Sequence, residues 1–139
     1  MASGKSFSEA IPISHGTHHD FSGLVVDPHA VQDHVPIWVG GRTLRSLRRA
    51  VALGDGWCPF GITTDTAARW LAAAEPPAGF EVVLAPEQPL DAIESPAAAE
   101  EQLAVLAAAG VTIARAHVVH RSLEHLLEQL SALAELVDR

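Results

Sequence analysis

The chain has 139 residues, and 9 Lys and Arg against 17 Asp and Glu leave a net charge of −8 with His neutral. That acidity argues against a general nucleic-acid binder, which needs a basic face to displace counterions, and against adsorption to an anionic membrane. A composition of 48% hydrophobic and 19% charged residues is that of one folded domain rather than a disordered tail. The single cysteine, Cys58, excludes an intrachain disulfide and a Cys-rich metal cage. No run of about 18 apolar residues is present to span a bilayer, and Met1–Gly16 has no apolar core of signal-peptide length, so the expectation is a soluble, cytoplasmic protein.

Charge is unevenly spread. Residues 1–61 balance Lys5, Arg42, Arg45, Arg48 and Arg49 against Glu9, Asp20, Asp27, Asp33 and Asp55, so all the net charge lies beyond residue 61. The four arginines between 42 and 49 are the first pointer to a site.

Residues 1–34 are rich in His, Ser, Gly, Pro and Asp and show no sustained period, which predicts an irregular N-terminal arm with a short hairpin around Phe21–Val26. A domain over 35–139 follows. Val35–Val39 is an apolar run ended by Gly40 and Gly41, the pattern of a buried parallel strand. Thr43 is placed to cap a helix with Leu44, Leu47 and Val51 on one face, Arg45, Arg48 and Arg49 off it, and Gly54 as a C′ residue. Asp55–Phe60 reads as a second strand broken by Gly61. Thr63 or Thr64 then caps a helix with Ala67, Trp70, Leu71 and Ala74 in one stripe. Phe80–Ala85 is a third strand. Ser95 and Pro96 open a third helix as N-cap and N1, and Gly110 closes it. Val111–Val119 is a fourth strand, and Ser122 caps a last helix whose Leu123, Leu126, Leu127, Leu130, Leu133, Ala134 and Val137 are expected on its buried side.

Four strand–helix units with short loops predict an α/β fold with a parallel sheet and right-handed crossovers. Neither GxGxxG nor GxxxxGK[ST] occurs, so nothing supports a nucleotide-binding doubly wound sheet. The other common architecture is the (β/α)₈ barrel, which needs about 250 residues, so the chain has room for a (β/α)₄ half of such a TIM-type barrel.

Phe21–Pro28, Gln32, Pro36-Ile37-Trp38-Val39-Gly40-Gly41-Arg42 and Arg48–Gly61, with its Ala-Leu-Gly-Asp-Gly-Trp core, resemble the C-terminal half of a luciferase-like monooxygenase. The resemblance implies barrel strands five to eight at residues 36, 56, 80 and 111, with no counterpart of strands one to four. It implies an oxidoreductase that uses flavin mononucleotide (FMN) or the deazaflavin coenzyme F420 for hydride transfer or oxygen activation on a small-molecule substrate. It also places the loop after the first strand beside the cofactor's phosphate tail.

The residues support that placement. Gly40, Gly41, Arg42 and Thr43 lie where a strand's C-terminal end meets a helix N-terminus, the end that carries barrel active sites. Free N–H groups and the helix dipole attract an anion there, and a guanidinium adds a planar donor. Without a ligand, the same residues are a tight capped turn. Arg45, Arg48 and Arg49 are expected mainly on a solvated helix face, the alternative being an extension of a polyanion site for a long coenzyme tail. Phe60 and Gly61 end the second strand, where Phe60 lines a ring or substrate pocket or packs in the core. Cys58, between apolar neighbours, reads as an inert thiol, and Asp55 as a turn residue. His117, His120 and Arg121 end the fourth strand, where a general acid or an anion contact would be useful, or a loop His and a first-turn Arg suffice. His15, His18, His19, Asp20, His29, Asp33 and His34 have the composition of a metal set but no ligand spacing, so no metal is assigned.

The functional expectation is a family-level oxidoreductase that is inactive as this chain alone. The alternative is a non-catalytic ligand-binding or assembly module. Open strand edges at Val35–Val39 and Val111–Val119 predict a homodimer or a complementary half-barrel partner.

Overall fold

The computed structural model describes residues 14–25 and 30–138. The chain divides into two compact units, Met1–Ile37 and Trp38–Arg139.

In the first unit, β1 (Ser14–His15) pairs antiparallel with β2 (Asp20–Phe21). The Gly16 amide donates to the His19 carbonyl at 2.9 Å, and His15 Nδ1 meets Asp20 Oδ1 at 2.8 Å. The hairpin thus lies upstream of the expected 21–26. Its turn is built from the polar residues between His15 and Asp20, and the His15–Asp20 side-chain contact joins the strand ends. Val26 and His29 lie outside the described residues.

The second unit runs β3 (Trp38–Gly41), α1 (Leu44–Leu53), β4 (Gly56–Pro59), α2 (Thr64–Ala74), β5 (Glu81–Leu84), α3 (Pro96–Ala108), β6 (Ile113–Ala114) and α4 (Leu123–Val137). The four strands are parallel, in the order β3-β4-β5-β6. Each crossover therefore advances one strand in the same direction. This winding is that of half a TIM-type barrel, whereas a doubly wound sheet reverses direction.

Alternation along the strands sets the core. Trp57, Val82 and Leu84 join Leu47 and Ala50 of α1, Ala67 and Leu71 of α2 and Leu106 of α3 in one buried cluster, with Val39 packed against it. Trp57 also meets Trp70, with ring centroids 6.2 Å apart. On the other face Trp38 crosses β4 and donates its indole N–H to Glu81 Oε2 at 2.5 Å. Gly56 lies beneath it, because a Cβ there would come within 2.7 Å of Trp38 Cδ1.

Several boundaries differ from the sequence reading. The first strand starts at Trp38, beyond Pro36, which has no N–H for a ladder. It runs through Gly40 and Gly41, which pair with Cys58 and Pro59. Trp38 itself is 45% exposed, so this is no fully buried strand. β4 and β5 are each trimmed at both ends. β6 shrinks to two residues because β5 stops before Pro86. The partner beyond is Leu90, whose amide donates to His117 O at 2.7 Å and whose carbonyl accepts from Val119 N at 2.9 Å.

Helix ends are closer to expectation. Thr43, Thr63 and Ser122 all cap through their side chains, and Gly110 closes α3 with φ of 87°. Ser95 stands at the N-cap with Pro96 after it, but its side chain makes no capping bond. Gly54 is extended, with φ of −132°, because α1 passes straight into β4 with no left-handed residue.

The largest correction is α4. Its buried residues are His125, Gln129 and Leu136, with Leu126 and Leu133 partly buried. Leu123, Leu127, Leu130, Ala134 and Val137 are exposed. Gln129, with no exposed surface, accepts from the Ala92 amide at 2.8 Å and donates to Asp91 Oδ1 at 2.8 Å. Those two bonds satisfy a buried amide that an inward leucine would leave unpaired, and they fix the helix in this rotation.

Candidate functional site

All four strands point the same way, so their C-terminal ends form one rim. The Gly41–Pro59 pairing puts the turns that follow, Arg42-Thr43 and Phe60-Gly61, side by side on it.

At the first turn, Thr43 and Ser46 form a reciprocal capping box. Thr43 Oγ1 accepts from the Ser46 amide at 3.2 Å, and Ser46 Oγ accepts from the Thr43 amide at 3.4 Å. Ser46 Oγ also donates to Thr43 O at 2.7 Å and accepts from Trp57 Nε1 at 3.2 Å. One buried hydroxyl thus ties the start of α1 to the core tryptophan. Gly41 is obligatory beside it. Its φ is 142°, and a Cβ would lie 2.7 Å from Ser46 Oγ.

The box consumes the third helical amide and leaves those of Leu44 and Arg45 without an acceptor among the described residues. No acidic residue stands in this first turn. A cavity of about 390 Å³ opens here, lined by Gly41, Thr43, Arg45, Ser46 and Arg49. Arg45 and Arg49 are one helical turn apart. Helical side chains lean toward the N-terminus, so both long cations reach back to the helix start. Arg49 Nη2 donates to Gly40 O at 3.4 Å. Arg42 is exposed and does not line the cavity. Two cations and two spare N–H groups stand at a positive helix end, an arrangement with the chemistry to hold a small oxyanion such as a phosphate.

The remaining candidates disperse. Phe60 is 58% exposed, neither core nor enclosed pocket wall, and Gly61 turns the chain with φ of 63°. His117 and His120 are exposed beyond β6. The protonated Nδ1 of His120 donates to Val118 O at 3.0 Å, which fixes its tautomer. These histidines follow β6, which lies at the opposite edge of the sheet from β3, three strand spacings or roughly 14 Å away. Arg121 reaches Glu94 at 3.6 Å, both exposed. Cys58 is half-buried on β4.

Sequence reasoning did not single out Ser46, and it placed Arg45 and Arg49 mainly on a solvated face, with a polyanion site as the alternative. The Thr-x-x-Ser spacing was the available signal for Ser46.

A singly wound parallel sheet with a capped, arginine-flanked turn at its C-terminal rim is the architecture of a barrel-type α/β protein. The chain belongs to the luciferase-like monooxygenase family, whose sequence model matches residues 6–135, and is at family level an oxidoreductase. A search of curated proteins returns no match.

Proposed function

We propose that the chain binds the phosphate of a flavin-type cofactor, FMN or the deazaflavin coenzyme, at the N-terminus of α1. The observation that carries this reading is the cavity where Arg45 and Arg49 meet the open helix end beside Gly41. The residues fit a phosphate. Two guanidiniums supply charge, the Leu44 and Arg45 amides supply donors, and the missing Cβ of Gly41 leaves room for close approach. When bound, the cofactor supplies the hydride or oxygen chemistry, and this chain's residues hold its anionic tail.

The chain alone would bind without turnover. Its sheet face opposite the helices has Trp38 45% exposed, and Phe60 on the rim is 58% exposed, so no enclosed wall shields a cofactor ring from water. Titration calorimetry with FMN, the deazaflavin coenzyme and inorganic phosphate tests the reading. The expected result is weak, salt-sensitive binding of all three. In Arg45→Ala/Arg49→Ala the dissociation constant should rise at least about tenfold, or about 1.4 kcal/mol. Unchanged phosphate binding in that variant would overturn the site, and steady-state oxidation of reduced cofactor by the wild-type chain would overturn the absence of turnover.

A further inference from the structure

We infer that two copies of this chain close on each other about a two-fold axis. In that ring β3 of each copy pairs in parallel with β6 of the other, and α1 of each packs against α4 of the other. The inference goes beyond cofactor binding and rests on separate observations.

The first is the sheet. Among the described residues β3 and β6 are the edges of the four-stranded sheet, each paired with one neighbouring strand. The Thr112 and Arg115 amides donate to Val82 and Leu84 of β5, and Leu90, beyond β5, bonds His117 and Val119. Parallel edges of this kind are normally covered, and eight strands is the number at which inward side chains fill a closed barrel.

The second is α4. Leu123, Leu127, Leu130 and Val137 are 72%, 57%, 46% and 67% exposed. Their spacing of four, three and seven residues makes one straight apolar seam, the pattern of a helix packed on another helix.

The third observation selects the occupant. α4 carries Glu124, Glu128 and Glu135 and no Lys or Arg. α1 carries Arg45, Arg48 and Arg49 and no acid, and its Leu53 is 66% exposed. Ring closure sets the helix after β6 beside the helix after β3 of the other copy, and so pairs the acidic seam with the basic helix. An isologous α4–α4 contact would instead bring six glutamates together. Closure also puts both anion receptors on one rim, because all eight strands would point the same way.

Charge reversal tests this. One variant carries Arg45→Glu and Arg48→Glu, the other Glu128→Arg and Glu135→Arg, all on the helix surface. Light scattering at micromolar concentration should give the wild type twice the chain mass of 14.7 kDa and each variant alone 14.7 kDa. An equimolar mixture of the two variants should return to twice the mass, since both of its interfaces then join unlike charges. Circular dichroism matching the wild type confirms that the variants fold. A monomeric wild type, a first variant that stays dimeric, or a mixture that does not reassociate would each overturn the ring.

Discussion

The N-termini of α1 and α2 are the same construction put to opposite ends. Each follows a parallel strand, and each is capped by a threonine accepting from the third helical amide, Thr43 from Ser46 and Thr63 from Thr66. What differs is the charge placed on them. α1 has no acid in its first turn and has arginines leaning back over it. α2 has Asp65 in its first turn, and Glu87, from the loop after β5, accepts from the Thr64 amide at 3.0 Å. The larger cavity beside it, about 440 Å³, is lined by Asp65, Glu87 and Glu101 among others. The fold supplies a positive helix end at every βα turn. Whether that end receives a ligand or is neutralised by the chain's own carboxylates is decided by a few side chains around it.

The sharpest break in the comparison lies in the glycines that enter the two turns. Gly41→Ala forces a Cβ into Ser46 at a φ of 142° and dislodges the hydroxyl that joins Thr43 to Trp57. The expected loss is about 2–3 kcal/mol in urea unfolding, with the anion receptor lost as well. Gly61→Ala, at a φ of 63° with open space around it, should cost only about 1 kcal/mol. Gly40→Ala, extended and 3.8 Å from the nearest atom, should be near neutral. Equal losses at 41 and 61 would mean that Ser46 does not set the geometry of the α1 end.

Local chemistry explains what was legible in the sequence. The three capping residues, the strand–helix alternation and the glycine-rich turn are short-range signals, and all three stand in the structure. The rotation of α4 was not legible. Its cause is the pairing of Gln129 with Asp91 and Ala92, whose position depends on a loop 37 and 38 residues away. An apolar stripe alone predicted a rotated face that shares only Leu126 and Leu133 with the one that packs. The length of β6 failed for a related reason, since a strand lasts only as long as its neighbour. At the first turn, Gly40, Gly41, Arg42 and Thr43 were read as candidate phosphate contacts, and of these Gly41 and Thr43 line the cavity. Arg45 and Arg49 are exposed, as apolar-face arithmetic expects, yet they line the cavity while Arg42 does not, because helical side chains lean back toward the N-terminus.

A milder break comes from removing the carboxylate that closes α2. Glu87→Ala should leave the buried Thr64 amide without its acceptor and cost about 1 kcal/mol in thermal or urea unfolding. It also makes the α2 end more like that of α1. Phosphate should protect Glu87→Ala against unfolding more than it protects the wild type. Equal protection would show that Asp65 alone suffices to turn an anion away.

The smallest effect concerns a third carboxylate set against backbone amides. Asp91 Oδ1 accepts from the Glu94 amide at 2.9 Å and the Ile93 amide at 3.3 Å, as well as from Gln129. The Gln129 bond, then the Glu94 amide, hold its carboxyl below the usual carboxylate range against a desolvation that works the other way, and the Ile93 amide and nearby His125 add to the lowering. A carboxyl lowered in the folded state stabilises fully above its unfolded value, near about 3.9, and that stability is lost as pH falls through the lower folded value. The wild type should therefore lose stability below about pH 4, in the segment that seats α4, while the α1 end, free of carboxylates, keeps its fold. In Asp91→Asn the amide oxygen still accepts, but nothing titrates there, so the acid limb of the stability curve should be shallower with little change at neutral pH. Acid unfolding followed by circular dichroism reads this directly. An acid limb as steep in Asp91→Asn as in the wild type would assign the pH dependence to other carboxylates and leave Asp91 a purely geometric anchor.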